Sequence, residues 1–264
     1  MASPYPHAEG EVHIWLAHTR DLSDPCSGES AGEPEALLDA HDRDRLTRFR
    51  RDAPRAEFLA GRVLLRRCLS LYAPLEPGEW HFVHEPDGRP RVANPEASHL
   101  SFNLSHSRGR VGCAITRGAK LGFDLEDLEQ PVRSSDLARR ILSHAEHAHW
   151  SELSATERDR ALLARWSLKE AYAKARGLGL KLPMSAMSFA LGPCTEDEDN
   201  EDSAIRFALD ERIDDAPERW RFFQTNLAPR HVLSLCAPAT SSAPLIREVP
   251  FQRSSSGAYL GVPR

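Results

Sequence analysis

Lysine is scarce. Of the 34 basic residues in this 264-residue chain, 30 are arginine and four are lysine, at positions 120, 169, 174 and 181. Neither sign dominates: 34 basic residues face 39 acidic ones, a formal charge of −5. That balance argues against a nucleic-acid coat or a polybasic membrane binder. Long apolar runs are missing, and none approaches the roughly 20 residues needed to cross a bilayer. The opening MASPYPHAEGEVHIW has no basic segment followed by an apolar one, so no secretory signal is expected. Cysteines number five, at 26, 68, 113, 194 and 236, with no CxxC spacing. An odd, scattered set excludes a disulfide framework and a zinc knuckle and points to a reducing cytoplasm. A GC-rich coding background would explain the arginine excess, yet where guanidinium is the default cation a lysine can mark a place that uses a compact ammonium.

Periodicity divides the chain into alternating helical and extended stretches. Alternation over 11–17 predicts a short strand, and the Ser-, Pro- and acid-rich 21–34 a loop. Helical spacing predicts helices over about 35–50 and 54–72. Strands are expected at 79–84, 100–104, 111–116 and 121–126, with turns at Pro86-Asp87-Gly88 and Arg117-Gly118. A helix capped by Ser134 or Ser135 is expected to reach about Trp150. Another runs from about Thr156 to Arg176 and stops at Gly177–Gly179. Strands return at 187–191, 205–209, 220–225 and 232–236. The six acids within 196–202 read as a solvated loop, and the Ser- and Pro-rich tail after 238 as flexible. This order predicts two α+β halves, 1–126 and 127–238, followed by the tail 239–264.

Four patterns carry chemistry. In Leu121-Gly122-Phe123-Asp124-Leu125-Glu126, strand alternation sends Asp124 and Glu126 to one side. Two such carboxylates suit a hard divalent cation, although alternating acids also occur on ordinary exposed strands. In WSLKEAYAK (166–174), Glu170 and Lys174 are one helical turn apart. The plain reading is a surface ion pair worth a few tenths of a kcal/mol; two of the four lysines falling here weakens it. In FNLSHS (102–107), small hydroxyls, an imidazole and backbone N–H groups suit phosphate oxygens. Finally, residues 41–67 hold nine arginines against four acids, a local +5 suited to a multiply phosphorylated small ligand. His144, His147 and His149 read as surface residues, since no fourth ligand accompanies them.

Together, FNLSHS at 102–107, GFDLED at 122–127 and WSLKEAYAKARGLGL at 166–180 resemble the Sfp-type 4′-phosphopantetheinyl transferases. DGRP at 87–90, the segment ending at Phe49 and RAEFLAGRVLLR at 55–66 extend the resemblance, which covers about residues 11–238. It implies two similar α+β subdomains related by a pseudo-twofold axis, with coenzyme A and Mg²⁺ (or Mn²⁺) in the cleft between them. It also implies transfer of the phosphopantetheine arm to a serine of an acyl, peptidyl or aryl carrier protein, releasing 3′,5′-ADP. By the same resemblance Asp124, Glu126 and Glu170 hold the metal, Glu170 is the general base, and Lys174 contacts the coenzyme A pyrophosphate and assists the leaving group. His106 contacts a coenzyme A phosphate, with Asn103 and Ser105 nearby. Arg45, Arg55, Arg89 and the adjoining Pro90 complete the expected coenzyme A contacts. A cytoplasmic monomer with neither nucleic-acid nor membrane partner is expected. The competing readings are a metal-dependent phosphodiesterase or pyrophosphatase using the same acids, and a non-catalytic relative that binds without turnover.

Overall fold

The computed structural model describes residues 7–23, 33–130, 134–191 and 205–249. In chain order the first elements are β1 (Val12–His18), α1 (Thr19–Ser23), α2 (Glu33–Ala36), α3 (Ala40–Thr47) and α4 (Asp52–Leu69). Strands β2 (Phe82–His84), β3 (Pro90–Val92), β4 (Leu100–Ser107), β5 (Arg110–Arg117) and β6 (Gly122–Asp127) follow. Next come α5 (Ser134–Ile141), α6 (His144–Glu152) and α7 (Ala155–Arg176). The remaining strands are β7 (Met187–Ala190), β8 (Arg206–Leu209), β9 (Trp220–Leu227), β10 (His231–Pro238) and β11 (Leu245–Glu248). Among the described residues no helix is long and apolar enough to cross a membrane.

The chain forms two compact units, 1–119 with 242–264, and 120–241. In the first, the sheet order is β11-β1-β5-β4, and β1 pairs antiparallel to β5 but parallel to β11. The apolar stripe of α4, including Leu64, Leu65 and Leu69, is buried with Trp15, Phe102, Val111 and Ile115 from the sheet. In the second unit β6, β10 and β9 form a sheet, and β7 pairs with β8. There the α7 residues Leu168, Ala171, Tyr172 and Ala175 share a core with Phe189, Phe222 and Cys236. Both units combine helix and sheet, as expected.

Several boundaries differ from those read in the sequence. The first unit ends at Ala119 rather than at 126, because β6 hydrogen-bonds along β10, from Cys236 opposite Gly122 to His231 opposite Asp127. The segment after 238 is not wholly a loose tail: His13 pairs with Leu245 and Leu16 with Glu248. The expected 35–50 helix is two, because Asp39 caps α3 by accepting the Asp42 N–H at 2.8 Å. The expected helix to Trp150 is likewise two. Ser143 caps α6, Glu146 accepting the Ser143 N–H at 2.8 Å and Ser143 Oγ accepting the Glu146 N–H at 3.3 Å. The acidic stretch 196–202, most of the 21–34 loop and residues 250–264 lie outside the described residues.

Candidate active site

Strand β6 lies against α7 because its first residue has no side chain. A Cβ on Gly122 would stand 1.9 Å from the Ala171 carbonyl oxygen and 2.4 Å from the Ala175 nitrogen. With Phe123 and Leu125 buried in the unit's interior, the two-residue period turns Asp124 and Glu126 the other way. The third acid of the motif, Asp127, is fully buried and pairs with Arg230.

Helix α7 is fixed at both ends and in the middle. Ser154 and Glu157 form its capping box, and Gly177 closes it in the left-handed region at φ 71°. Between them lies Lys169, wholly buried. Its Nζ donates to the carbonyls of Ile141 (2.5 Å), Met184 (3.0 Å) and Met187 (2.8 Å), and to Glu146 Oε2 (2.5 Å). Glu146 Oε1 also accepts the Phe189 N–H at 2.9 Å. A compact ammonium fits this oxygen cage as a planar guanidinium would not. The knot sets the position of the next residue, Glu170.

The predicted acids and lysine gather here. Lys174 Nζ donates to Asp124 Oδ1 at 2.7 Å and to the Phe123 carbonyl at 3.0 Å. The surface pair between Glu170 and Lys174 is therefore not what forms; the ammonium goes to β6 instead. Trp166 Nε1 donates to Glu126 Oε1 at 2.9 Å. Glu170 is half-buried and accepts no hydrogen bond from any described residue. Burial, then the Asp124 charge, pushes the Glu126 carboxyl up to about 7, with Glu170 adding to the rise. Burial likewise raises Glu170, where Lys174 opposes and Asp124 reinforces the shift.

With all three acids ionised, one ammonium would leave a surplus of two negative charges, and the raised Glu126 and Glu170 carboxyls reflect that crowding together with burial. A divalent cation would neutralise that surplus, and an all-oxygen donor set suits Mg²⁺. The residues therefore fit the ion. They are not drawn to ligating distance of one another. Among the described residues the triad whose ligand atoms lie within 4.8 Å is His7, Glu11 and His13.

Apart from Lys174, the coenzyme A candidates belong to the first unit. His106, near the end of β4, is half-exposed, with Nδ1 3.1 Å from Glu57 Oε2. Glu57 Oε1 accepts the Gly109 N–H at 2.9 Å. Burial alone would raise the Glu57 carboxyl, but the His106 and Gly109 hydrogen bonds hold it below its ordinary value. No local spacing signals Glu57; its partner is 49 residues away. Because β4 stays extended through Ser107, Asn103 and Ser105 face the side opposite to His106. Arg89 lies between β2 and β3, just before Pro90, and its Nη2 is buried without a hydrogen-bond partner among the described residues. Arg45 stacks over Phe58 at 5.1 Å, and Arg55 donates to Glu35 at 2.7 Å.

The arginine-rich stretch is less of a free patch than its sequence suggests. Arg62 donates to Asp42 at 3.0 Å, and the buried Arg66 donates to the Leu37 carbonyl and to Asp39. His144 and His149 are exposed on α6, while His147 is partly buried and packs against Trp150.

Two family profiles match. The one described as "4'-phosphopantetheinyl transferase superfamily" covers residues 120–236, and "4'-phosphopantetheinyl transferase, N-terminal" covers 31–116. The chain is 33% identical over 184 residues to the 4'-phosphopantetheinyl transferase HetI of Nostoc sp., covering 69% of this chain and 75% of that protein. It is 29% identical over 170 residues to 4'-phosphopantetheinyl transferase Sfp of Bacillus subtilis, covering 63% and 72%. A solved holo-(acyl-carrier-protein) synthase from Bacillus anthracis, in complex with CoA (3',5'-ADP), overlays with a TM-score of 0.33 at 14% identity. That overlay covers 46% of this chain and 95% of the other.

Proposed function

Since this chain belongs to the 4′-phosphopantetheinyl transferase superfamily, we propose that it moves the phosphopantetheine arm of coenzyme A onto a serine of an acyl, peptidyl or aryl carrier protein, releasing 3′,5′-ADP. The observation that supports this reading is the Lys174–Asp124 bond between α7 and β6, with Glu126 and Glu170 within electrostatic reach of both. Both profile matches and the relatives' names support it.

Attack of a serine hydroxyl on the β-phosphorus needs three things: a base for the serine proton, positive charge at the diphosphate, and stabilisation of the departing phosphate. Glu170 is the base. Its carboxylate has no competing donor among the described residues, and its raised affinity for a proton brings it closer to the value a base needs at neutral pH. Asp124, Glu126 and Glu170 are the residues that would hold Mg²⁺, which when bound supplies positive charge to diphosphate oxygens. Lys174 stabilises the leaving phosphate with a charge-assisted hydrogen bond, and its Phe123 and Asp124 contacts keep the ammonium in place. Trp166 orients Glu126 through its indole N–H. On the other unit, Arg89, whose buried Nη2 has no hydrogen-bond partner among the described residues, and the Glu57-oriented His106 are the groups offered to coenzyme A phosphates.

The test is incubation with coenzyme A, Mg²⁺ and a panel of apo carrier proteins, read by intact mass. Addition of one phosphopantetheine to a carrier is expected, in the cation's presence only. Cleavage of coenzyme A without any acceptor would overturn the reading in favour of a hydrolase.

A further inference from the structure

A second group of ligating side chains lies where chain 7–13 turns into β1, in the first unit. Gly10, in the left-handed region at φ 84°, reverses the backbone there. The Glu11 N–H donates to the Ala8 carbonyl at 3.3 Å, and the Ala8 N–H donates to Glu11 Oε2 at 2.8 Å. The turn brings His7 back over His13, with ring centroids 4.3 Å apart and the planes inclined by 26°. Both imidazoles are buried, at 7% and 2% exposure.

Their hydrogen bonds show which ring nitrogens are already engaged. His7 Nε2 is 3.0 Å from the Glu11 carbonyl oxygen, which can only accept, so Nε2 carries the proton. Nδ1 then bears the lone pair, and it is buried with no hydrogen-bond partner among the described residues. His13 Nε2 lies 3.6 Å from Glu11 Oε2, and its Nδ1 lies 2.7 Å from the Tyr72 hydroxyl. That hydroxyl also accepts from Trp15 Nε1 at 2.8 Å. Ligand atoms of His7, Glu11 and His13 all fall within 4.8 Å of one another.

We propose that His7, Glu11 and His13 form a binding site for a late first-row divalent cation such as Zn²⁺. Its ligands are His7 Nδ1, His13 Nε2 and a Glu11 carboxylate oxygen. Two imidazoles and one carboxylate are a zinc-type donor set with a position left for water. Binding requires the stacked rings to splay, one imidazole turning until both lone pairs lie in plane with the ion. The two nitrogens close to about 3.3 Å, the edge of a zinc tetrahedron. With Nε2 on the ion, His13 carries its proton on Nδ1 and donates it in a hydrogen bond to the Tyr72 hydroxyl, which fixes the ring. Glu11 supplies the counter-charge against Arg117 and Arg247, which act on His7 and His13 respectively, while His99 adds to the positive field at His7. Nitrogen donors separate this site chemically from the all-oxygen set of Asp124, Glu126 and Glu170, which favours Mg²⁺.

The test titrates Co²⁺ into the full-length, tag-free, metal-stripped protein in excess Mg²⁺ and follows visible absorption. One equivalent with the strong bands of low-coordinate, nitrogen-ligated cobalt is expected, displaced by Zn²⁺. His7→Ala is expected to abolish the bands, Glu11→Gln to weaken binding at least about tenfold, and Asp124→Asn to leave both unchanged. No band at stoichiometric Co²⁺, or a band undiminished in His7→Ala, would overturn the proposal. Should His7→Ala fail to fold, undiminished affinity in Glu11→Gln overturns it equally.

Discussion

Lys174 is one helical turn from Glu170, yet its ammonium sits on Asp124, 50 residues away. That pairing leaves Glu170 with no donor among the described residues and makes the two side chains separable by mutation. Glu170→Gln and Asp124→Asn are expected to lower transfer by about 10²–10⁴-fold while the circular dichroism spectrum stays native. Near-normal rates in both would remove the mechanism. Lys174→Ala should cost far more turnover than Lys181→Ala, and equal losses would indicate general charge rather than a positioned group. Glu126 gives a pH signature. A carboxyl raised from 4.5 to about 7 binds its proton more tightly folded than unfolded. Its contribution to stability is therefore full below pH 4.5 and is lost as pH rises through about 7. Metal-free protein should show a melting temperature that falls across this window; Glu126→Gln should flatten that slope, and Mg²⁺ should reduce it. The two-residue and four-residue spacings that group these acids were legible in the sequence. The 50-residue reach of Lys174 and the bond from Glu57 to His106 were not, because no local period encodes a contact between distant segments.

Elements position these side chains through two devices of opposite kind, one an absence and the other a buried charge. Gly122→Ala would place a methyl group against backbone atoms of α7 that no rotamer can move aside. A loss of about 3 kcal/mol in denaturant unfolding is expected, with reduced transfer even in the folded fraction. Lys169→Met leaves Glu146 as a buried acid without its cation and should cost about 3–5 kcal/mol. A cost below 1 kcal/mol would show that the knot does not hold α7. Hydrophobic spacing revealed α4 and α7 in the sequence, because long helices repeat their apolar stripe several times. It ran through the break before α6 because Ser143 interrupts no apolar period; only its pairing with Glu146 marks a new start. The strand β11 escaped for the converse reason. It has two apolar residues, Leu245 and Ile246, in polar surroundings, and its order comes from β1.

Across the whole molecule, the first unit is closed by a segment from far along the chain. Leu245–Glu248 lies along β1, Val249 N–H donates to the Leu16 carbonyl at 2.9 Å, and Arg110 pairs with Glu248 at 2.7 Å. Truncation after Ser241 uncovers that edge of β1. It should lower the stability of the first unit by about 1–3 kcal/mol, read as faster hydrogen exchange at residues 12–17, while β9 and β10 stay protected. Equal protection with and without the segment would show that β11 contributes nothing to the sheet. The second unit, by contrast, is one continuous run from 120 to 241.

This interleaving has a consequence during synthesis. A ribosome delivers residues 120–241 complete while β1 still waits for its parallel neighbour, so the part that carries Asp124, Glu126 and Glu170 can assemble first. Until residues 245–249 emerge, the nascent polypeptide carries an unpaired strand edge, a surface that chaperones bind and that aggregates when it lingers.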